Sequence, residues 1–267
     1  MKVAAIQMSS GADKALNLTE AEDLVARAVA EEAPDLVVLP ETFTCMGGPA
    51  AHRRALAETF PDGEAYDRMQ ALARRHGVWL HAGSMAEAAG EKSYNTTVVF
   101  DREGNEAARY RKLHLFDVEV PGGIRYLESE TIKGGREVVT YDCEGVRIGC
   151  AICYDLRFPE LFRALRDGGA EVIVLPAAFT LQTGKDHWHV LLRARAIETQ
   201  SWVVASAQWG AFDDGRRHTY GHSLVIDPWG TVVADAPDGT GYAVARIDPE
   251  RVATVRRNLP VDRQRVL

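Results

Sequence analysis

The stretch Gly149-Cys150-Ala151-Ile152-Cys153-Tyr154-Asp155-Leu156-Arg157-Phe158-Pro159-Glu160-Leu161 decides the fold of this chain. Residues 146–152 are apolar apart from one arginine and include β-branched side chains, which predicts a buried strand. Pro159 suits the first turn of a helix, and the glycines at 168–169 end that helix. Residues 171–175 are the next predicted strand, so the stretch indicates a βαβ unit.

Cys153 is the residue of this unit that can carry chemistry. It is predicted to lie at the carboxyl end of a strand, where open α/β sheets place their active sites. Helix N–H groups near the thiol are expected to lower its pKa. A cysteine in such a turn is usually a small buried hydrophobe, so a catalytic role depends on companion residues elsewhere in the chain.

Composition narrows the class of protein. The chain has 267 residues, of which 46% are hydrophobic and 26% charged, and we expect one globular domain spanning residues 1–267. The net charge of −7 and the lack of a basic tract argue against nucleic-acid binding and against an anionic membrane surface. The sequence has neither a signal peptide nor an apolar run long enough to span a membrane, so we expect a cytoplasmic location.

Metal, redox and cofactor motifs are weak in this sequence. Cys150 and Cys153 form a single C-x-x-C, which leaves a thiol redox pair open but does not supply a zinc site. His187-x-His189 has no third ligand at a suitable spacing, and helix-start and packing roles are favoured for these histidines. No glycine-rich dinucleotide or phosphate loop is present, so we predict no nucleotide, flavin or metal cofactor.

Strands and helices alternate along the chain, which predicts two sheets packed face to face and covered by helices. Residues 111–135 are expected to form a long loop. The segments 33–43 and 169–179 resemble each other, which suggests two similar βαβ halves. Helices are predicted over 15–32, 65–76, 187–200 and 249–257, and strands over 2–8, 35–39, 78–83, 96–100, 107–110, 202–207, 221–226, 232–234 and 242–247.

Three segments together resemble the nitrilase superfamily of carbon–nitrogen hydrolases. They are Leu39-Pro40-Glu41, Arg111-Lys112-Leu113-His114-Leu115-Phe116 and the segment that begins at Cys153. The resemblance covers essentially the whole chain, and the segments over 187–200 and 220–230 look most like the amidase branch that acts on deaminated glutathione. It implies an α/β fold, an α-β-β-α four-layer sandwich, that associates into a homodimer or a higher homo-oligomer.

The resemblance also implies a Glu-Lys-Cys triad at Glu41, Lys112 and Cys153, with a second glutamate, Glu128, beside the lysine. An amide carbon is a poor electrophile, so a thiolate and a covalent intermediate divide the reaction into two steps. Glu41 would take the thiol proton and later donate one to the leaving nitrogen. Lys112 would stabilise the thiolate and the tetrahedral oxyanion, together with the backbone N–H of Tyr154.

The expected substrate is a small linear amide with an acidic acyl part. Arg157 is the predicted anchor for its carboxylate, with Tyr154 and Phe179 as further substrate-binding residues. The alternative is a purely structural role, in which Arg157 forms an ion pair with Asp155 or Glu160. The alternative functions are an omega-amidase acting on 2-oxo acid amides, an N-carbamoyl amino acid amidohydrolase, a non-catalytic interaction module and a thiol redox protein.

Overall fold

The computed structural model describes residues 1–120 and 124–266. Its helices are α1 (Lys14–Glu32), α2 (Ala50–Ala55), α3 (Glu64–His76), α4 (Pro159–Asp167), α5 (Leu181–Thr199) and α6 (Pro249–Asn258). Its strands are β1 (Lys2–Gln7), β2 (Leu36–Val38), β3 (Trp79–Ala89), β4 (Lys92–Phe100), β5 (Glu106–Arg111), β6 (Asp117–Val120), β7 (Ile124–Leu127), β8 (Ile132–Lys133), β9 (Thr140–Cys143), β10 (Val146–Cys150), β11 (Val172–Ala177), β12 (Trp202–Ala207), β13 (Trp209–Phe212), β14 (Arg217–Tyr220), β15 (Leu224–Ile226), β16 (Val232–Asp235) and β17 (Gly241–Arg246).

Two mixed sheets form the centre of the molecule. The first has the order β17-β1-β2-β3-β4-β5, with β8 beside β4, and the second has the order β16-β15-β12-β11-β10-β9. The runs β1-β2-β3 and β10-β11-β12 are each parallel. The repeat between 33–43 and 169–179 therefore corresponds to the middle strands, β2 and β11, of these two parallel runs.

Alternating residues of β1 face two different hydrophobic cores. Val3 and Ala5 of β1 pack with side chains of the second sheet. Ala4 and Ile6 pack instead with buried side chains of α1 and α3. Because successive side chains of a strand point to opposite faces, the first sheet lies between a helical layer and the second sheet. On the other side, buried residues of α4 and α5, such as Phe162 and Trp188, pack against the second sheet. The fold class is thus the predicted α/β sandwich with layers α-β-β-α.

The region 111–135 is not the predicted long loop. It contains the β6–β7 hairpin, a 3₁₀ turn at Glu128–Glu130 and the short strand β8. The hairpin pairs residues 117–120 with 124–127, and its polar and apolar residues alternate too briefly to be read as strands. Residues 121–123, which belong to this predicted loop, lie outside the described residues.

Other elements differ from the predictions mainly at their ends. Helix α5 begins at Leu181 rather than at 187, although Gly184 lies in its first turns. Gly184 is needed there because a Cβ at this position would lie 2.3 Å from the side chain of Tyr220. The sequence did not predict α2, β9 or the β13–β14 hairpin. Among the described residues, no helix combines the length and the apolar character needed to cross a membrane.

Candidate active site

Cys153 begins a short 3₁₀ turn, Cys153–Arg157, three residues after the end of β10. Its backbone has a φ of +45°, a left-handed conformation that is unfavourable for any residue with a Cβ. Such strained positions persist where the surrounding structure holds them, and they cluster at functional sites. The side chain is buried, with 8% of its surface exposed. The turn therefore fixes one orientation of the thiol.

Asp155 holds this turn against the neighbouring segment of the first sheet. Its fully buried carboxylate accepts hydrogen bonds from the backbone N–H of Ile152 at 2.9 Å and from the hydroxyl of Tyr110 at 2.6 Å. It also accepts from the backbone N–H of His114 at 3.0 Å and lies 2.7 Å from His114 Nδ1. The residue pattern alone assigns no separate role to Asp155. Asp155 is the one charged residue in the sequence from Ile148 to Leu156, which was the available signal for a buried carboxylate.

Glu41 follows β2 and reaches the same site from the other half of the fold. The backbone at Leu39 and Pro40 passes so close to Gly83 that a Cβ there would lie 2.0 Å from the carbonyl oxygen of Pro40. The Glu41 carboxylate accepts hydrogen bonds from Lys112 Nζ and from the backbone N–H of Ala178, both at 2.9 Å. Ala178 directly follows β11, so the two matching strands of the repeat meet at this carboxylate.

Lys112 is a buried lysine between two carboxylates. Its Nζ lies 2.9 Å from Glu41 Oε1 and 2.9 and 3.1 Å from the two oxygens of Glu128. The Glu128 carboxylate also accepts a hydrogen bond from the backbone N–H of Phe116 at 2.7 Å. The side chains of Lys112 and Glu41 are only 2% and 5% exposed, so this pairing is little screened by solvent. The structure thus brings together the predicted lysine and both predicted glutamates.

The pKa values of Lys112 and Cys153 follow from this environment. Burial disfavours the ammonium, but the nearby carboxylates of Glu128 and Glu41 outweigh it and raise the pKa of Lys112 well above its ordinary value. Burial, reinforced by the Glu41 carboxylate, raises the pKa of the Cys153 thiol well above its usual value, although Lys112 acts in the opposite direction.

The prediction of a lowered thiol pKa was therefore wrong. Helix α4 begins only at Pro159, so its free N–H groups are not at the thiol, and desolvation dominates. A neutral thiol beside a carboxylate needs a base to take its proton during the attack.

Asn95 is a residue of this cluster that the sequence analysis missed. Its Nδ2 donates to Glu41 Oε1 at 2.9 Å and lies 3.2 Å from Glu128 Oε1. Its backbone carbonyl accepts from the N–H of Lys112 at 2.9 Å. One amide side chain therefore joins both carboxylates and fixes their separation. An asparagine inside β4 carries no local sign of this, because its partners are distant in sequence.

These groups line a cleft of about 460 Å³. The lining includes all seven residues that the sequence assigns to catalysis or substrate binding: Glu41, Lys112, Glu128, Cys153, Tyr154, Arg157 and Phe179. The cleft also contains four cationic side chains that the sequence analysis did not single out: Arg53, Arg54, Arg125 and Arg217. Arg217 lies 3.5 Å from Asp213 and stacks over the ring of Tyr126. The cleft therefore has an acidic floor at Glu41 and Glu128 and a basic lining further out.

Arg157 is held by aromatic groups and a histidine. Its guanidinium lies 5.3 Å from the ring centre of Phe179 and 6.0 Å from that of Tyr154. It also donates to Nδ1 of His187 at 3.4 Å. In the part of the chain that the structure describes, Arg157 makes no ion pair, and the Asp155 carboxylate is used by other donors. The guanidinium is therefore available to an anion in the cleft.

Cys45 and His218 also line the cleft, whereas Cys150, His187 and His189 do not. Cys150 is fully buried in β10, and burial raises the pKa of its thiol, which fits a core residue. All four cysteines are free thiols. His187 and His189 do not act as a pair, because His187 contacts Arg157 whereas His189 contacts Asp235. Both lie inside α5 rather than at its start.

Comparison with known proteins places the chain in a family. A family model described as carbon–nitrogen hydrolase matches residues 2–257. The chain is 45% identical to a deaminated glutathione amidase of Synechocystis sp., over 98% of this chain and 97% of the relative. It is 42% identical to the human deaminated glutathione amidase, over 98% of this chain and 81% of the relative.

Solved structures agree with this assignment. The Nit3 protein of Saccharomyces cerevisiae, described as a member of branch 10 of the nitrilase superfamily, has a TM-score of 0.89. It is 34% identical, and the match covers 100% of this chain and 97% of that one. The NitFhit protein of Caenorhabditis elegans has a TM-score of 0.92 and 41% identity, over 99% of this chain and 64% of that one. The chain therefore belongs to the carbon–nitrogen hydrolase family and is a member of the nitrilase superfamily.

Proposed function

We propose that this amidase hydrolyses deaminated glutathione or a closely similar linear amide through a thioester on Cys153. The observation that carries the proposal is one cleft that holds a buried thiol, a Glu-Lys-Glu cluster and an outer set of arginines. The names of the curated relatives support the choice of substrate.

The reaction follows from the positions of these groups. Glu41 takes the thiol proton as Cys153 Sγ bonds to the amide carbon, and the carbonyl oxygen becomes an oxyanion. The Lys112 ammonium and the backbone N–H of Tyr154 stabilise that oxyanion. The C–N bond then breaks as Glu41 returns its proton to the nitrogen, which leaves as an amine. Water, deprotonated by Glu41, attacks the thioester, and the acid product leaves with the free thiol restored.

Arg157 is the proposed anchor for the carboxylate on the acyl side. A guanidinium binds a carboxylate through two parallel hydrogen bonds, which a lysine cannot reproduce. Arg157→Lys should therefore lower kcat/KM for an acidic amide by about one to two decades, since a charge-assisted contact contributes roughly 1.5–3 kcal/mol. A matched neutral amide should lose less. Equal losses for the two amides would show that the anion site lies elsewhere.

The outer arginines distinguish the candidate substrates. Deaminated glutathione carries a second carboxylate on its leaving group, whereas the leaving group of 2-oxoglutaramate is ammonia. Arg54 and Arg125 are exposed and line the cleft, so they can meet that second carboxylate. Arg125→Gln should raise KM for deaminated glutathione and leave that for 2-oxoglutaramate unchanged.

A panel of amides tests the proposal directly. Deaminated glutathione, 2-oxoglutaramate and carbamoyl amino acids are compared, with acid and amine products quantified. The proposal predicts the highest kcat/KM for deaminated glutathione. A higher value for 2-oxoglutaramate would favour an omega-amidase, and one for a carbamoyl amino acid would favour the amidohydrolase. No turnover of any amide would favour the non-catalytic interaction module.

We also propose that the chain forms a homodimer, with a second copy covering an apolar face of α5. Val190 and Ile197 of α5 and nearby Trp229 are 67%, 50% and 57% exposed, and a Cβ on Gly230 would lie 2.6 Å from Ile197. Exposed apolar patches of this kind often mark interfaces between chains. Light scattering should give twice the mass of one 29.3 kDa chain. A monomer at micromolar concentration would contradict this.

A further inference from the structure

A second cluster of ligand side chains lies outside the cleft. Nε2 of His189 is 2.9 Å from Oδ2 of Asp235, and Nδ1 of His222 is 3.0 Å from Oδ1 of the same carboxylate. One ligand atom from each of the three residues can be chosen so that all lie within 4.8 Å of one another. We propose that His189, His222 and Asp235 bind a divalent transition-metal ion of the zinc type.

The donor set fits such an ion. Imidazole nitrogens and a carboxylate oxygen suit zinc and its neighbours among the transition metals. Bonds of about 2.0–2.1 Å place the ligand atoms of a tetrahedral site roughly 3.3 Å apart, so small side-chain rotations would complete the site. The ion would replace the protons that the two rings share with the carboxylate, and water would fill the remaining coordination.

The three ligands come from separate elements that are fixed by their own contacts. His189 lies on α5 next to the fully buried Trp188, whose Nε1 donates to the carbonyl of His222 at 2.8 Å. Asp235 ends β16, and the N–H of the following residue, Ala236, donates to the carbonyl of Ser223 at 2.8 Å. The backbone around the three side chains is therefore held in place without the ion, which lowers the cost of binding.

Among the described residues, Asp235 forms no ion pair with a lysine or an arginine, so no such cation competes with a metal ion for its carboxylate. Within the residues that the structure describes, its ion pairs are with His189 and His222. The ring centre of Tyr220 lies 4.6 Å from that of His222 and 6.0 Å from that of His189, so this ring packs against one side of the cluster.

A bound ion would connect α5 to the corner that follows β14. Arg217 and Thr219 of β14 line the catalytic cleft, as does Thr183 of α5. Metal binding would therefore stiffen one wall of the cleft without entering it.

Cobalt(II) titration into the Cys153→Ala protein tests the proposal, because the variant removes the thiol that lies in the cleft with the Glu41 and Glu128 carboxylates and would also bind metal. Calorimetry should give one Co²⁺ per chain, and visible absorption should show ligand-field bands without a thiolate charge-transfer band. Adding His189→Gln should weaken binding at least about tenfold, as should Asp235→Asn, since each removes a ligand. His76→Gln, at the end of α3, is the matched control and should bind as the parent does.

Two different results would contradict the metal-site proposal. If the Cys153→Ala protein binds no stoichiometric Co²⁺, the three residues form only a hydrogen-bonded cluster. If His189→Gln binds Co²⁺ as tightly as its parent, the ion lies elsewhere. Neither result depends on the amidase activity.

Discussion

Replacing Glu128 by glutamine removes one of the two charges that neutralise Lys112. The Glu128 carboxylate contacts Lys112 Nζ at 2.9 and 3.1 Å and accepts the N–H of Phe116 at 2.7 Å. Glutamine has nearly the same shape but only one acceptor oxygen and no charge. Glu41 then becomes the single counterion of a buried ammonium, holds it more tightly and takes the thiol proton less readily.

The size of the effect follows from these contacts. A hydrogen bond to a charged group contributes roughly 1.5–3 kcal/mol, and the substitution weakens more than one such bond. A loss of about 3 kcal/mol in the transition state lowers kcat about 100-fold. Glu119→Gln is the matched control, since Glu119 is an exposed glutamate on β6, in the hairpin that directly precedes Glu128. Its kcat should stay within about twofold, the range expected for a surface change.

Rapid-quench mass spectrometry identifies the step at which Glu128 acts. If Glu128 positions Lys112, formation of the thioester slows as much as overall turnover does, and no thioester accumulates in Glu128→Gln. If Glu128 instead orients the hydrolytic water, the thioester forms at the normal rate and accumulates. That accumulation, or an unchanged kcat, would refute the positioning role.

Three further predictions concern thiols and pH. Cys150→Ser should keep kcat within about tenfold, because Cys150 is fully buried in β10 and does not line the cleft, and a loss equal to that of Cys153→Ala would favour the redox pair. The pKa of the Cys153 thiol should lie above the ordinary value of about 8.5, because burial raises it. It is measured as the midpoint of the thiolate absorbance that is present in the parent protein and absent from Cys153→Ala, and a lower midpoint would contradict the prediction. Burial lowers the pKa of His81 to about 3, so the unfolded chain binds the extra proton between pH 6.5 and 3, and stability falls as the pH falls through that range. The loss in the free energy of unfolding is up to about 5 kcal/mol. Chemical denaturation at several pH values should show a smaller loss for His81→Gln than for the parent. An unchanged dependence on pH would show that other groups dominate.

The sequence predicted the two parallel runs because their middle strands are nearly uninterrupted apolar segments. Residues 36–38 and 172–177 are buried. Glu41 of the cleft lies three residues after the first segment, and Ala178 of the cleft directly follows the second. The β6–β7 hairpin was missed because it is a two-stranded ribbon that belongs to neither central sheet, so its apolar signal is weak.

The residues around Lys112 also differ in whether nearby sequence or only the complete fold reveals them. Glu41 and Lys112 could be placed because each lies in a segment that resembles the nitrilase superfamily, and Glu128 because the same resemblance implies a second glutamate beside the lysine. Asn95 could not, since its partner Glu41 is 54 residues away and the contact exists only after the strands pair. The pKa of the Cys153 thiol was misjudged for a related reason. A helix start can be read from nearby residues, whereas desolvation depends on the whole surrounding fold.

The formation of a thioester on Cys153 is the central claim, and intact-mass spectrometry of a quenched reaction with deaminated glutathione tests it most directly. The account predicts an added mass equal to the acyl part of the substrate, located on the peptide that contains Cys153 and absent from Cys153→Ala, which should not turn over. An adduct on another residue, or near wild-type turnover by Cys153→Ala, would contradict it.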